Sequence, residues 1–295
     1  MTIEINCNKV CVIGANGFIG SSIADSLEKR GIDWVGVTRS EPNRDNCIKL
    51  DIKDTQGLAE IFSQYPVVIN AIGSLKPKSF IDDFEGSMQR AWHTLHDIEN
   101  SISQSTAKAF VHISSAGTVY GENLGHPSKE TDTNQPVSWY GRTKLVEELY
   151  FKEACNRQGI RFICARVSNP FGNKRYSEHG FIDVLVNSIL NSKSFYIYSH
   201  PEYYRDFIHV DDMASAIVEL SMSDTSGIYN IASGVSHSLN EIVQYVLKKG
   251  IEIDLHHISP NSQDVIKNHI CIEKAYKYLP KSMKSLFEYL DEKLA

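Results

Sequence analysis

The residues of this chain best suited to proton chemistry are Tyr140 and Lys144, in the run Tyr140-Gly-Arg-Thr-Lys144. Turn-formers over residues 131–136 precede the run, and Leu145, Val146, Leu149 and Tyr150 follow it at helical spacing. On a helix, residues four apart share a face, so phenol and ammonium can point into one cleft. A free phenol titrates near ~10 and is a weak base at neutral pH. A neighbouring ammonium is expected to lower that value, more so beside a second positive charge. Such a tyrosine takes a proton from a hydroxyl, or returns it. The pair alone would also arise by chance on a helix, so the elements around it decide.

The element best placed to supply a cofactor is the first turn, Val10-Cys-Val-Ile-Gly14-Ala-Asn16-Gly17-Phe18-Ile19-Gly20. A short apolar run reads as a buried strand, and the helix after it carries Ile19, Ile23 and Leu27 on one face. Glycines allow a tight turn and close approach of a pyrophosphate, and the helix start offers free N–H groups and a positive dipole end. The spacing is G-x-x-G-x-x-G, one residue longer between the first two glycines than the usual fingerprint. The triplet also suits an ordinary strand–helix turn. Following a strand near the N-terminus, it reads as a dinucleotide site, and an oxidised nicotinamide there would supply the second positive charge.

Strand-like runs recur at residues 10–13, 34–38, 48–50, 67–70, 110–114 and 162–167, most of them followed by a helix-like segment. That alternation predicts an α/β fold, a Rossmann-type doubly wound parallel sheet whose ligands sit beyond the carboxyl ends of its strands. Small or polar residues occupy those ends: Asn70-Ala-Ile-Gly73, Ser114-Ser115 and Ser168-Asn169. After Asn169 the rhythm loosens. Helices are expected at 182–190, at 211–222 with acids in the first turn, and after Ser238, whose spacing to Glu241 is that of a capping box. Short strands are expected at 195–198 and 229–231. Residues 1–168 are expected to form the dinucleotide-binding domain. Residues 169–295 are expected to form a smaller, mainly substrate-binding lobe, interleaved with late elements of the first.

Composition narrows the class. The chain has 295 residues, 42% hydrophobic and 22% charged, with a net charge of −6. With no Lys/Arg run, that balance argues against a nucleic-acid surface. No apolar stretch approaches the ~20 residues of a membrane span, and residues 1–8 carry Glu4 and no long apolar region, so neither membrane nor secretory leader is expected. Six cysteines without a C-x-x-C pair read as buried thiols in a reducing compartment, hence a cytoplasmic protein. The histidines show no metal-binding spacing, so no metal is expected, and His256-His257 reads as strand surface.

Further runs resemble one family: Ser114-Ser115-Ala116-Gly117-Thr118-Val-Tyr-Gly121, Arg166-Val-Ser-Asn169-Pro-Phe-Gly172, Arg205-Asp-Phe-Ile-His-Val-Asp-Asp212 and Tyr229-Asn-Ile-Ala-Ser-Gly234. With the glycine turn and the Tyr140/Lys144 pair, these resemble the extended short-chain dehydrogenase/reductases, in particular their NAD(P)-dependent nucleotide-sugar epimerase/dehydratase branch. The resemblance runs in order from about residue 10 to 234. It implies that Tyr140 is the acid/base and that Lys144 holds the nicotinamide ribose. Gly14, Asn16, Gly17, Phe18, Ile19 and Gly20 would hold the pyrophosphate, and Asp51 and Ile52 the adenine. Ala71, Ile72 and Gly73 would line the ribose side, and Val167 the nicotinamide. Asn169 and Arg205 match positions that bind the substrate's nucleotide diphosphate, which suits a guanidinium. An ion pair of Arg205 with Asp206 or Asp211 is the competing reading. The resemblance also implies a homodimer.

The chain departs from the family at three places. The usual catalytic hydroxyl position is Ala116, so Ser115 or Thr118 must bond the reacting oxygen. Gly117-Thr118 replaces the Asp-Glu pair of dehydratases, which disfavours 4,6-dehydration. The stretch Ser259-Pro-Asn-Ser-Gln-Asp264 lacks the arginine that would clamp the diphosphate. The favoured reading is a nucleotide-sugar epimerase or 4-keto reductase, whose products often feed surface polysaccharides. Its rivals are a non-enzymatic dinucleotide-sensing protein on the same fold and a reductase of a small non-nucleotide carbonyl. Arg39-Ser40 closes the second strand where a carboxylate would favour NAD, so NADP is expected to bind better. A solvated Arg39 near Glu41 and Arg44 is the alternative.

Overall fold

Apolar runs become strands and amphipathic stretches become helices in the order parallel crossovers require. In a computed structural model, which describes all residues except 1–8, 74, 123–124, 174–179, 199 and 260–263, the chain starts with β1 (Lys9–Ile13) and α1 (Phe18–Lys29). There follow β2 (Asp33–Thr38), β3 (Cys47–Lys49), α2 (Thr55–Gln64), β4 (Val67–Asn70), α3 (Pro77–Asp82) and α4 (Phe84–Ser103). Next come β5 (Ala109–Ser115), the single turn α5 (Ala116–Val119), α6 (Trp139–Gln158), β6 (Arg161–Val167) and β7 (Asn169–Phe171). The last part holds α7 (Phe181–Leu190), β8 (Phe195–Tyr198), β9 (Tyr204–His209), α8 (Val210–Met222), β10 (Gly227–Ile231), β11 (Ser236–Ser238), α9 (Leu239–Lys248), β12 (Leu255–Ile258) and α10 (Leu286–Leu294).

The main sheet has seven strands in the order β10-β6-β5-β4-β1-β2-β3. Val10 lies opposite Trp34 on β2 and Val67 on β4, both pairings parallel. Strands buried on both faces carry continuous apolar runs, and Val10, Cys11 and Val12 are fully buried. Because β1 has β2 on one side and β4 on the other, the winding reverses there. That switch point opens a crevice beyond the ends of β1 and β4. Phe62, Ile98, Phe110 and Phe151 belong to the core that fixes α2, α4 and α6 on the sheet.

A three-stranded sheet, β11-β9-β7, pairs β9 antiparallel to β11 and parallel to β7, and β8 pairs in parallel with β12. Phe171, Leu185, Phe207, Ile242 and Leu290 share the core beneath these elements. The chain groups into two compact units. One is Met1–Ser114, Trp139–Arg166 and Ala214–Tyr229; the other is Ser115–Ser138, Val167–Met213 and Asn230–Ala295.

Each expected strand is present with its ends within two residues. The strands β7, β9 and β11 lack the apolar signal; β9 carries Arg205, Asp206 and His209 in buried positions. His256 and His257 are exposed on β12. Half of the capping box forms: Ser238 Oγ accepts from Glu241 N–H at 3.3 Å, while the Glu241 carboxylate lies 3.6 Å from His237 Nδ1 instead of turning back.

Candidate active site

At the end of β1 the chain turns at Gly14, whose φ of +83° places it in the left-handed region where a side chain would be strained. A Cβ on Gly20 would stand 2.2 Å from the Gly14 carbonyl oxygen, so only glycine lets α1 start this close to the strand. No side chain caps that start. The amides of Phe18, Ile19 and Gly20, in the first turn, have no partner within the helix and are left for an anion. These features fit a pyrophosphate.

Beyond the turn lies a cleft of about 540 Å³ lined by Gly14, Asn16, Gly17, Arg39, Asp51, Ile52, Ala71, Ile72 and Gly73. The side chain of Asn16 donates to Glu41 O at 2.9 Å and Ser40 Oγ at 3.2 Å, which ties the glycine turn to the end of β2. Asp51 Oδ1 accepts from Lys53 N–H at 3.0 Å. Thr38, Ser40 and Lys53 line the same cleft, as do Arg90, His93, Thr94 and Asp97 of α4. Apart from Ser40, named with Arg39 at the end of the second strand, sequence reasoning missed these residues. The α4 group has helical spacing, but a polar stripe facing a cleft looks in sequence like one facing water.

Helix α6 places Lys144 Nζ 5.9 Å from the centre of the Tyr140 ring, and the Phe80 ring meets Tyr140 edge-on at 6.5 Å. Both residues of the pair line a narrow cavity, and Ile72, Gly73 and Thr94 line this cavity and the larger cleft alike. The Tyr140 hydroxyl makes no hydrogen bond among the described residues. Its proton is held more tightly than expected. Burial pushes the phenol up, outweighing the pull of Lys144, and Glu147 adds to the rise. The lysine's assistance is therefore present but more than cancelled.

Glu147 was not foreseen. Its Oε2 accepts from Lys144 Nζ at 2.7 Å, and His112 Nε2 lies 3.2 Å from the same oxygen, off the line of a good hydrogen bond. Burial opposes ionisation of Glu147, yet Lys144 and His112 outweigh it and hold the carboxyl at about 2. Burial also opposes the charge on Lys144, and Glu147 more than restores it. One residue further on, Glu148 accepts from Arg166 Nε at 3.0 Å and Nη2 at 2.7 Å, and from Ser114 Oγ. This buried pair fixes α6 across β5 and β6.

The remaining candidates lie in the second unit. Ser115, at the end of β5, is half-buried and makes no side-chain hydrogen bond among the described residues. A Cβ placed on Gly117 would stand 3.8 Å from Ser115 Oγ and 3.6 Å from Asn169 Oδ1, so these three residues are neighbours. Thr118 Oγ1 is buried with no partner among the described residues. Val167 is buried at the end of β6, and Asn169 Nδ2 donates to Asp206 O at 2.8 Å. Arg205 does sit in an ion pair, but with Asp264 at 2.8 Å rather than Asp206 or Asp211. Asp206 instead takes Ser233 N–H, Ser233 Oγ and Gly234 N–H, each at 2.9 Å, and burial pushes its carboxyl up to about 6 against those bonds. The stretch read as lacking a clamping arginine falls largely on residues 260–263, outside the described residues. Among the described residues, no His/Cys/Asp/Glu group could hold a metal ion, no helix is long and apolar enough to cross a membrane, and the cysteines are free.

A dinucleotide cradle and a Tyr-x-x-x-Lys helix on one doubly wound sheet form the arrangement of the Rossmann-type short-chain dehydrogenase/reductases. Within that class the chain belongs to the NAD dependent epimerase/dehydratase family, whose model matches residues 10–232. It is similar to the dTDP-4-dehydro-6-deoxyglucose reductase of Escherichia coli, 26% identical over 259 residues and 81% of each chain. It is also similar to the UDP-N-acetylglucosamine 4-epimerase of Methanobrevibacter ruminantium M1, a solved structure, with a TM-score of 0.80, 27% identity, and 95% of this chain and 94% of that one covered. The UDP-glucose 4-epimerase of Thermus thermophilus, solved in complex with NAD, shares the fold at a TM-score of 0.83 and 22% identity, over 92% of this chain and 94% of that one.

Proposed function

We propose that this protein moves hydride reversibly on a nucleotide sugar, as an NAD(P)-dependent 4-epimerase or 4-keto reductase. The observation that carries the reading is the Tyr140/Lys144 pair on a cavity that shares Ile72, Gly73 and Thr94 with the dinucleotide cleft. Both an epimerase and a reductase stand among its relatives, which fits a Tyr–Lys pair able to take or return a proton. A bound nicotinamide nucleotide would supply the hydride acceptor or donor. Tyr140 exchanges the proton of the sugar hydroxyl, Lys144 holds the nicotinamide ribose, and Ser115, or else Thr118, orients the reacting oxygen. The amides at the start of α1 hold the pyrophosphate. Asn169 and Arg205 bind the substrate's diphosphate, for which Asp264 competes. The first unit carries the cofactor and the second the sugar nucleotide. Gly117 and Thr118 offer no carboxyl group for loss of water, so 4,6-dehydration is disfavoured.

Exposed apolar residues recur along two helices that pack on each other: Phe84, Met88 and Trp92 on α4, and Trp139, Val146 and Leu149 on α6. Such a patch needs covering, and a second copy of the chain is its proposed occupant; a monomeric mass in dilute solution would refute this. The buried free thiols favour a cytoplasmic setting, and synthesis of surface polysaccharide is the proposed use.

The test is a thermal-unfolding screen of UDP- and dTDP-sugars with NAD(P) present. A true ligand at roughly 100 times its dissociation constant stabilises by about 2.7 kcal/mol. The reading is lost if the cofactor stabilises the protein and no nucleotide sugar adds to it.

A further inference from the structure

Glu147 stands one turn after Lys144 on α6 and pairs with it at 2.7 Å, and hydrogen bonds running from the cofactor cleft orient the His112 ring beside it. The Ile72 amide donates to Asn70 Oδ1 at 3.1 Å, which turns Asn70 Nδ2 toward His112 Nδ1 at 3.4 Å. An amide nitrogen can only donate, so Nδ1 accepts, and the neutral imidazole carries its hydrogen on Nε2, facing Glu147. Burial favours that neutral form, holding His112 below its ordinary value even though Glu147 acts the other way. Glu147 is therefore the counter-charge in contact with Lys144.

We propose that Glu147 is a positioning residue, a fixed counter-charge that pairs Lys144 and keeps Tyr140 in its phenol form, ready to give a proton, until a further positive charge enters the cavity. The inference rests on the roles proposed above for Tyr140 and Lys144. Its logic is charge balance in a desolvated site. Lys144 and Glu147 sum to zero, so ionising Tyr140 leaves a buried net negative charge, which is costly. Without Glu147 the ammonium stands alone, and a phenolate on Tyr140 becomes the anion that neutralises it. An incoming cationic ring restores the same opportunity in the intact protein. The site would thus hold its proton at rest and release it when the oxidised cofactor is in place.

The charges nearest the pair are engaged elsewhere, while His93 and Asp97 of α4 line the larger cleft. On α6 and β6, Glu148 is paired with Arg166, and burial pushes the Cys164 thiol well up. On α4, Arg90 meets Asp83 at 3.2 Å, and Glu99 takes Tyr150 and Arg157. On α3, Lys78 pairs with Asp82, and Phe80 presents its ring to Tyr140. On β5, His112 is neutral. Lys144 and Glu147 therefore set the balance at Tyr140.

The test is an ultraviolet titration of phenolate in the cofactor-free protein, with the matching Tyr140→Phe protein subtracted to isolate Tyr140 from the rest of the 14 tyrosines. In Glu147→Gln, the Tyr140 phenolate should form at a pH lower by about one unit or more. Glu147→Asp keeps the charge but draws it back, and should shift the titration the same way by less. This second variant serves if the glutamine protein does not fold. An unchanged or raised titration in a folded variant overturns the proposal. Because no substrate is used, a shifted titration in a protein that turns over no nucleotide sugar would uphold the counter-charge and remove only the reaction.

Discussion

At the scale of single residues, the site depends on where protons and charges rest, and only part of that was written locally. Tyr140 and Lys144 were legible because both lie on one helix four residues apart. The influence of Glu147 was not. An acid three residues after a lysine on a helix is ordinarily a solvated pair, and here it is largely enclosed because β5 brings His112 against it. Arg205 teaches the same lesson, since Asp264 lies 59 positions away in the chain. The replacement of the usual hydroxyl by Ala116 leaves Ser115 and Thr118 to be distinguished. Ser115 keeps its hydroxyl unengaged among the described residues and sits at the strand end where ligands collect, whereas Thr118 Oγ1 is closed off from solvent. Ser115→Ala should therefore cost more turnover than Thr118→Ala, and the reverse order in steady-state kinetics would move the role to Thr118.

Among the elements, the strands of the main sheet were readable because parallel strands buried on both faces must be apolar throughout. The polar strand β9 was not, because Arg205 and Asp206 find their partners only in the folded chain. The glycine turn was legible as a pattern, and the structure adds which glycine bears the constraint. In Gly20→Ala, the gain in helix propensity, about 1 kcal/mol, is opposed by a methyl group 2.2 Å from backbone that cannot swing aside. Overpacking of this kind costs typically ~1–3 kcal/mol. The variant should melt lower and bind dinucleotide poorly. Gly73→Ala, where a Cβ meets nothing within 4 Å, should leave stability unchanged. Equal melting of the two variants would show that the close approach of α1 to β1 is not what holds the cradle.

At the scale of the whole molecule, the ordered motifs made the family legible, while the choice of cofactor rests on one strand end. Arg39 lies in the cleft, exposed and without a partner among the described residues, and the nearby Glu41 carboxylate is engaged by Lys49. A free guanidinium there welcomes a 2′-phosphate. Wild type should bind NADP(H) more tightly than NAD(H), and Arg39→Ala should lose that preference. Equal affinities in the wild type would instead favour an epimerase that retains NAD. The account's central claim is that Tyr140 exchanges a proton while hydride moves on a nucleotide sugar. The most direct measurement follows UDP- and dTDP-hexoses and their 4-keto forms by NMR with wild-type and Tyr140→Phe protein, alongside binding of cofactor and sugar nucleotide. Inversion at C4 or reduction of a 4-keto group should occur with wild type. It should fall by roughly two or more orders of magnitude in Tyr140→Phe while both ligands still bind. Comparable turnover in the variant, or binding of the sugars with no change at C4 in the wild type, would contradict the account.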